Sequence, residues 1–328
     1  MKAPRSSFTK FRVFAMVTIS CVLLVAPLLA GAADYPKKPV SIVVTYGAGG
    51  GTDVIFRAAS SVIHQYWDQP LIVINKPGAG GTVGTSFAAK AKPDGYTILA
   101  ALQGPLIINP LQIKVDYSID NFEPLVQLVS APQIMVANVK TPWQNAKEMI
   151  GYAKANPGKV KLGTTGFGNL PHLMTLRLQE LTGAKFTIIP FKGNAPARKE
   201  VLAGHIDGLI SVIQDASYVK AGSLKGLAVL ANERFQGLDV PTFAEQGYPD
   251  MVADVWWGVA ALKGTPEPIK ARIVETFEKV ANDKSFKSMM AKMEMPIVYL
   301  GPKEFKDKCD KLQAFFPGFV ESMGLLKK

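Results

Sequence analysis

The sequence predicts an α/β protein in two halves, each a mainly parallel sheet flanked by helices. Three observations carry this reading. Short Val/Ile-rich runs alternate with helical patterns along most of the chain, and glycine-rich turns recur where a run meets a helix. The 328 residues also exceed one domain of about 100–200.

The N-terminus stands apart from that pattern. Lys2, Arg5, Lys10 and Arg12 precede an apolar stretch from Val13 to Leu29, and Ala30-Gly31-Ala32 offers small residues for cleavage. This is the layout of a secretory signal peptide, residues 1–32, cleaved after Ala32 or Ala33. The run is short for a membrane span of about 20 apolar residues, and Pro27 lies near its end. Thr18-Ile19-Ser20 before Cys21 makes a poor lipoprotein signal. Cys309 is then the single cysteine of the exported chain, which leaves no intramolecular disulfide and no cysteine-built metal site. Without the four signal bases, 33 basic residues face 26 acidic ones, a net +7. That excess suits an anionic small ligand. No Lys/Arg-rich block with interleaved aromatics points to nucleic acid.

The elements follow in order. Lys38 to Tyr46 (KPVSIVVTY) reads as a buried strand, and Thr52 to Gln65 as a helix with Ile55, Ala58, Ala59, Val62 and Ile63 on one face. Pro70–Asn75 is a second strand, Lys76–Gly84 a glycine loop leading into a helix, Lys92–Gly95 a turn, and YTILAAL a third strand. This βαβαβ order predicts parallel pairing. Loops marked by Pro105, Pro110 and Pro124 follow, then a strand at Gln133–Val139 that carries the chain into the second half. There NAKEMIGYAKA is a helix, Asn156–Gly166 a turn plus strand, and NLPHLMTLRLQELTG a helix ending at Gly183. KFTIIPF, IDGLISVI and LKGLAVL are strands separated by the helices APARKEVLAGH and SYVKAGS. Beyond Trp256-Trp257, two amphipathic helical stretches close the chain.

Three glycine loops share one design. Gly47–Asp53, Gly78–Thr85 and Gly163–Asn169 each follow a strand and precede a helix. In doubly wound sheets such turns lie at the carboxyl ends of strands, where ligands bind. Exposed N–H groups and the positive end of the helix dipole there receive an oxyanion. The first loop has Thr52 where a dinucleotide fingerprint needs its last glycine, and no Lys-Ser/Thr closes it as a phosphate loop requires. Asp53 in the first helical turn also disfavours a polyphosphate. A small carboxylate fits better.

Catalytic machinery is not evident. Of the three histidines, His64 lies late in the first helix, His205 sits at a helix end, and His172 occupies the first turn after the third glycine loop. His172 is placed either to face a site or to pack. No G-x-S-x-G elbow, H-E-x-x-H motif or Cys/His cluster is present, so neither a catalytic residue nor a metal or cofactor is assigned. Asp215, after GLISVI, either accepts a hydrogen bond from a ligand amine or hydroxyl or caps the next helix. Trp256 and Trp257 either wall a pocket or pack near a hinge.

In register along the whole exported chain, YPKKPVSIVV, AGGGTD, NKPGAGGTVG, KPDGYTIL, YAKANPGKVKLGTTGFGNLPHL, PFKGNAPA, LAGHIDG, KAGSLKGLAV and PTFAEQGYPD…WWGVAALKGTPEPI resemble the Bug family. These are periplasmic solute-binding receptors of tripartite tricarboxylate transporters. The resemblance implies a two-lobed periplasmic binding protein of the type II-like Venus flytrap class, with ligand in the inter-lobe cleft. It implies lobe I from 33–136 and 257–328, discontinuous, and lobe II from 137–256. One grip on the carboxylate would be Tyr46, Ala48, Gly49, Gly50 and Thr52; the other would be Thr164, Thr165, Asn169 and His172. Phe191-Lys192-Gly193 and Asp215 are further contributors. Two departures fall at these contacts. Tyr46-Gly47 stands where the family usually has an apolar residue followed by Pro or Ala, and Asn169 where a small hydroxyl residue is usual.

The expected function is therefore a monomeric periplasmic receptor, not an enzyme. It would capture a small mono-, di- or tricarboxylate, amino acid or aromatic acid and deliver it to a membrane permease of the tripartite type. The alternatives are a ligand-sensing subunit of a signalling system, or a secreted enzyme using His172 or Asp215 as general base.

Overall fold

The computed structural model describes residues 35–327, so the signal segment and its cleavage site lie outside the described residues. The chain opens with β1 (Val40–Val44), α1 (Gly51–Ile63), β2 (Leu71–Asn75), α2 (Thr82–Ala89) and β3 (Thr97–Ala101). The β-branched run VSIVV of β1 is buried along nearly its whole length, as a central strand covered on both faces must be. It pairs in parallel with β2 on one side and β3 on the other. Helix α1 covers this sheet with Ile55, Phe56, Ala59, Val62 and Ile63, the apolar stripe of a 3.6-residue period.

A π-helical turn at Gly104–Ile108 and a short helix α3 (Asn109–Gln112) lead to β4 (Phe122–Asn138), which is 17 residues long. The sequence pattern shows only its last part as strand, because Pro124 and Pro132 lie within it. Both are accommodated: a register shift follows Pro124, and Pro132 is the last residue of β4 paired in the first sheet.

The second half holds α4 (Ala146–Ala155), β5 (Lys161–Thr164), α5 (Leu170–Thr182), β6 (Thr187–Pro190), α6 (Asn194–Ala203), β7 (Gly208–Val212), α7 (Ala216–Lys220) and β8 (Leu224–Leu230). Strand β5 pairs in parallel with β6 and β7. The chain then returns through β9 (Asp254–Leu262) to α8 (Glu267–Asn282), α9 (Lys284–Lys292), β10 (Ile297–Leu300) and α10 (Pro302–Ser322).

Strand β4 belongs to both halves. From Phe122 to Pro132 it pairs antiparallel with β9, and from Gln133 to Asn138 it pairs antiparallel with β7 and β8. Of the strands legible in the sequence, β1 to β3 and β5 to β7 form the parallel ladders within each lobe, whereas Gln133–Asn138 of β4 and β8 pair antiparallel. The antiparallel ladders of β4 and β9 join the lobes and make the whole sheet mixed. Ala131 opposite Val255 and Pro132 opposite Asp254 end the first ladder, and the Gln133 N–H donates to Ala253 O at 3.0 Å just beyond it.

In the first lobe's core, α10 packs on β9 through an aromatic pair. Phe305 is fully buried and meets Trp256 edge to face, with centroids 4.9 Å apart. Gly258 makes that contact possible, since a Cβ there would lie 2.5 Å from Val126 O and 2.6 Å from the Phe305 ring. Cys309 is buried nearby as a free thiol, and burial pushes its pKa up to about 12. Among the described residues no helix is long and apolar enough to cross a membrane. Phe305→Ala is expected to cost about 3–5 kcal/mol of unfolding free energy, the range for a large aromatic emptied from a core, measured by denaturant titration.

Candidate functional site

Three helix starts converge on one cavity. Gly50, Gly51 and Thr52 from the start of α1, Asn169, Leu170 and Pro171 from the start of α5, and Asn194 from the start of α6 all line it. Gln103, Gln133, Val212, Val255 and Trp257 are also among its lining, from the seam where the lobes join. Its volume is about 50 Å³, and its lining contains no Lys, Arg, His, Asp or Glu.

Local sequence explains the helix starts. Gly50 precedes α1 and Gly193 precedes α6, and neither helix has a side-chain cap. The first N–H groups of a helix have no partner within it, so uncapped starts present donors and a positive dipole end to the cavity. Helix α5 differs: Asn169 Oδ1 accepts from the His172 N–H at 3.3 Å, and Pro171 has no N–H to give. There the Asn169 and Thr165 side chains themselves line the cavity.

The loops are held from behind. Asp53 is buried, accepts from the Gly49 N–H at 2.9 Å and from Asn75 Nδ2 at 2.9 Å, and receives Arg57 Nε on both oxygens. Burial alone would raise its pKa, but the hydrogen bonds from Arg57, Gly49 and Asn75 outweigh it and hold the carboxyl below its ordinary value. Thr52 Oγ1 accepts from Trp257 Nε1 at 3.0 Å, which leaves the hydroxyl proton available. Tyr46 Oη donates to Gly80 O at 3.0 Å, and burial raises its pKa despite a hydrogen bond with Asn169.

In the second lobe Asp215 organises a buried cluster. Its carboxylate accepts from Arg198 Nη1 at 2.7 Å and Asn194 Nδ2 at 3.1 Å, and the single Ser211 hydroxyl proton is shared between Asp215 Oδ2 at 2.5 Å and Asn194 Oδ1 at 2.7 Å. Asn194, at the cavity wall, is thus fixed through both ends of its amide.

The sequence-derived candidates divide accordingly. Tyr46, Gly50, Thr52, Thr165 and Asn169 line the cavity. Ala48 and Gly49 are exposed on the outer turn, with the Gly49 N–H spent on Asp53. Thr164 is fully buried and donates to Gly166 O. His172 lies behind the loop, where Nδ1 accepts from the Gly168 N–H at 3.1 Å, Phe167 packs on the ring, and burial lowers its pKa. Asp215 is fully buried on Arg198 and does not line the cavity. Gln103, Gln133 and Asn194 line it without having been singled out. The strand-to-helix turn PFKGNAPA is a fourth loop of the same kind, and it signals Asn194. Gln133 is an amide at the head of the apolar run IMVA.

The lobes touch across the cavity. The Gly47 N–H donates to Lys192 O at 3.3 Å, Asn109 Nδ2 to Phe167 O at 3.1 Å, and Gln112 Nε2 to Gly168 O at 2.6 Å. Gly80 permits this approach, since a Cβ there would lie 2.8 Å from Phe167 O. On another edge, Lys220 Nζ of α7 pairs with Glu294 Oε1 at 2.6 Å. The lobes are thus in direct contact on two edges of the cavity.

Residues 55–309 match the model of the tripartite tricarboxylate transporter family receptor. The chain is 33% identical over 261 residues to the protein BugT of Bordetella pertussis, covering 77% of this chain and 78% of that one. Its fold is similar to that of the periplasmic binding protein BugD, with a TM-score of 0.82, 31% identity, and coverage of 90% and 100% of the two chains. It is also similar to MatC from Rhodopseudomonas palustris with bound malate, with a TM-score of 0.82, 25% identity and coverage of 87% and 100%.

Two predictions follow from the supports behind the cavity. Asp215→Ala leaves Arg198 unpaired in the interior and is expected to cost about 3–5 kcal/mol in denaturant unfolding. Asp53 has a folded-state pKa below its unfolded value of 3.8, so its stabilisation is complete above about pH 4 and is lost as pH falls through the lowered pKa. Stability of the wild type should therefore fall more steeply than that of Asp53→Asn between about pH 4 and pH 2, followed by thermal unfolding.

Proposed function

The chain belongs to the tripartite tricarboxylate transporter receptor family, and from that membership we propose that it captures a small carboxylate between its two lobes in the periplasm and hands it to a membrane permease of the tripartite type. The observation that carries the reading is a cavity at the lobe seam lined by three helix starts and by hydroxyl and amide side chains, with no charged side chain in its lining. Such a site holds an anion by backbone N–H groups and helix dipoles. The malate bound to MatC agrees with that chemistry.

The protein is a receptor rather than an enzyme in this reading. The cavity lining offers no carboxylate, imidazole, thiol or amine to move a proton or attack a carbonyl. His172 and Asp215 are engaged elsewhere. The closed lobes would present a composite surface to the permease, and opening would release the ligand unchanged.

We place the lobe boundaries where the ladders change hands: residues 35–132 with 254–327 form one lobe, and 133–253 the other. The exchange of β4 from β9 to β7 and β8 between Pro132 and Gln133 supports this division. It falls a few residues before the boundaries at 136 and 256 read from sequence. The first grip would be Gly50, Gly51 and Thr52 with Tyr46, and the second Thr165, Asn169 and Leu170.

Protein stripped of ligand by unfolding and refolding should be stabilised by one class of carboxylate and by no nucleotide. Ligand at about 100 times its Kd adds roughly 2.7 kcal/mol, which moves the thermal midpoint by several degrees. Gly50→Val places methyl groups between Gly47 O and the Asn194 backbone, where the lobes meet. Binding should weaken by about a hundredfold or more, ~2.7 kcal/mol, while the unliganded protein stays folded. A nucleotide-specific shift, or full affinity in Gly50→Val, would sink this reading.

A further inference from the structure

We propose that Gln133 reads the substituent beside the ligand's carboxylate, and that the preferred ligands are hydroxycarboxylates rather than their unsubstituted or amino counterparts. The inference rests on the receptor reading above and narrows it to a substrate class.

Four side-chain amides line the cavity, and three have both ends engaged by the protein. Gln103 donates to Asp254 O at 2.7 Å and accepts from the Trp256 N–H at 3.3 Å. Asn169 donates to Thr165 Oγ1 and accepts from the His172 N–H. Asn194 is held by Asp215 and Ser211. Gln133 is the exception: it is fully buried, yet neither Nε2 nor Oε1 has a hydrogen-bond partner among the described residues. A buried amide left without partners is costly, and native interiors rarely keep one unless something else completes it.

Its position says what completes it. Gln133 is the first residue of β4 in the second lobe's ladder, directly opposite Val212. Val212, Val255 and Trp257 share the lining and are mainly apolar there. The amide is thus set among apolar side chains that adjoin the start of α1, since a Cβ on Gly51 would lie 3.3 Å from Trp257 and 3.5 Å from Val212.

The chemistry of the amide selects the ligand. Nε2 donates and Oε1 only accepts. A carboxylate oxygen satisfies Nε2 but leaves Oε1 facing an anion. An adjacent hydroxyl donates to Oε1 while the carboxylate oxygen accepts from Nε2, so a hydroxycarboxylate meets both ends. An unsubstituted acid leaves Oε1 unpaired. An amino acid donates to Oε1 as well, but brings an ammonium into a cavity whose lining has no carboxylate to pair with it.

The test uses ligand-stripped mature protein and calorimetric titration with matched probes: malate, succinate and aspartate as one set, lactate, propionate and alanine as the other. The wild type should bind the hydroxy acid of at least one set tenfold or more tightly than both counterparts. Gln133→Met, similar in length but without the amide, should level that set chiefly by weakening the hydroxy acid. Binding of carboxylates without preference for the hydroxyl, or a preference that survives in Gln133→Met, overturns the inference and leaves the receptor reading intact. Failure of the wild type to bind any carboxylate, in these sets or in a wider panel, overturns both. Should Gln133→Met not fold, the wild-type ratios and those of Gln133→Asn, whose shorter amide withdraws from the ligand, decide the matter.

Discussion

An anion can be held without a cation only if backbone N–H groups are kept free of the protein's own acceptors and kept still. The cleft meets both demands by separating the groups that face it from the groups that hold it. The first turns of α1 and α6 have no side-chain cap, while carboxylates sit one layer behind them. Asp53 draws the Gly49 N–H, Asn75 and Arg57 together beneath the first loop. Asp215 gathers Arg198, Ser211 and Asn194 beneath the second-lobe wall. Each negative charge is neutralised by an arginine, so the loops gain rigidity without a bare anion behind the cavity.

Closure and recognition are coupled by the same loops. The Gly47 N–H bonds to Lys192 O, and the amides of Asn109 and Gln112 reach the carbonyls of Phe167 and Gly168. A ligand bound between the two sets of helix starts would also bring these groups within bonding distance. The contacts are few and mostly neutral, with Lys220 and Glu294 supplying one ion pair at an edge. That modest inter-lobe adhesion suits a protein that must open again, because a ligand can shift the balance only by its differential affinity for the two states.

Much of the fold was legible, and the reason is periodicity. The βαβ runs of each lobe carry clear patterns of buried Val, Ile and Leu, and their glycine turns mark strand ends. The 17-residue β4 was legible only at its end, because prolines at 124 and 132 break the local pattern while long-range pairing with β9 restores the strand. At the site, residues on strand-to-helix turns were legible because turn chemistry is local. Gln133 was not, since its meaning depends on two sheets meeting there. His172 and Asp215, which the sequence leaves open between ligand contact and a packing or capping role, are placed only in three dimensions, with Nδ1 on the Gly168 N–H and the carboxylate on Arg198.

The two strands that cross between the lobes run side by side, with Ala131 opposite Val255 and Pro132 opposite Asp254. A two-stranded ribbon yields easily to flexing out of its own plane, which needs only small dihedral changes, whereas sliding one strand past the other breaks the ladder's hydrogen bonds. Such a connection would favour lobe motion along one angular coordinate. A closure about this ribbon would retrace one arc and return Gly47 to Lys192 and Asn109 to Phe167, without a search over sideways offsets. Geometric fidelity is written into the connection itself, so the mouth of the cleft needs little adhesive surface to find its alignment.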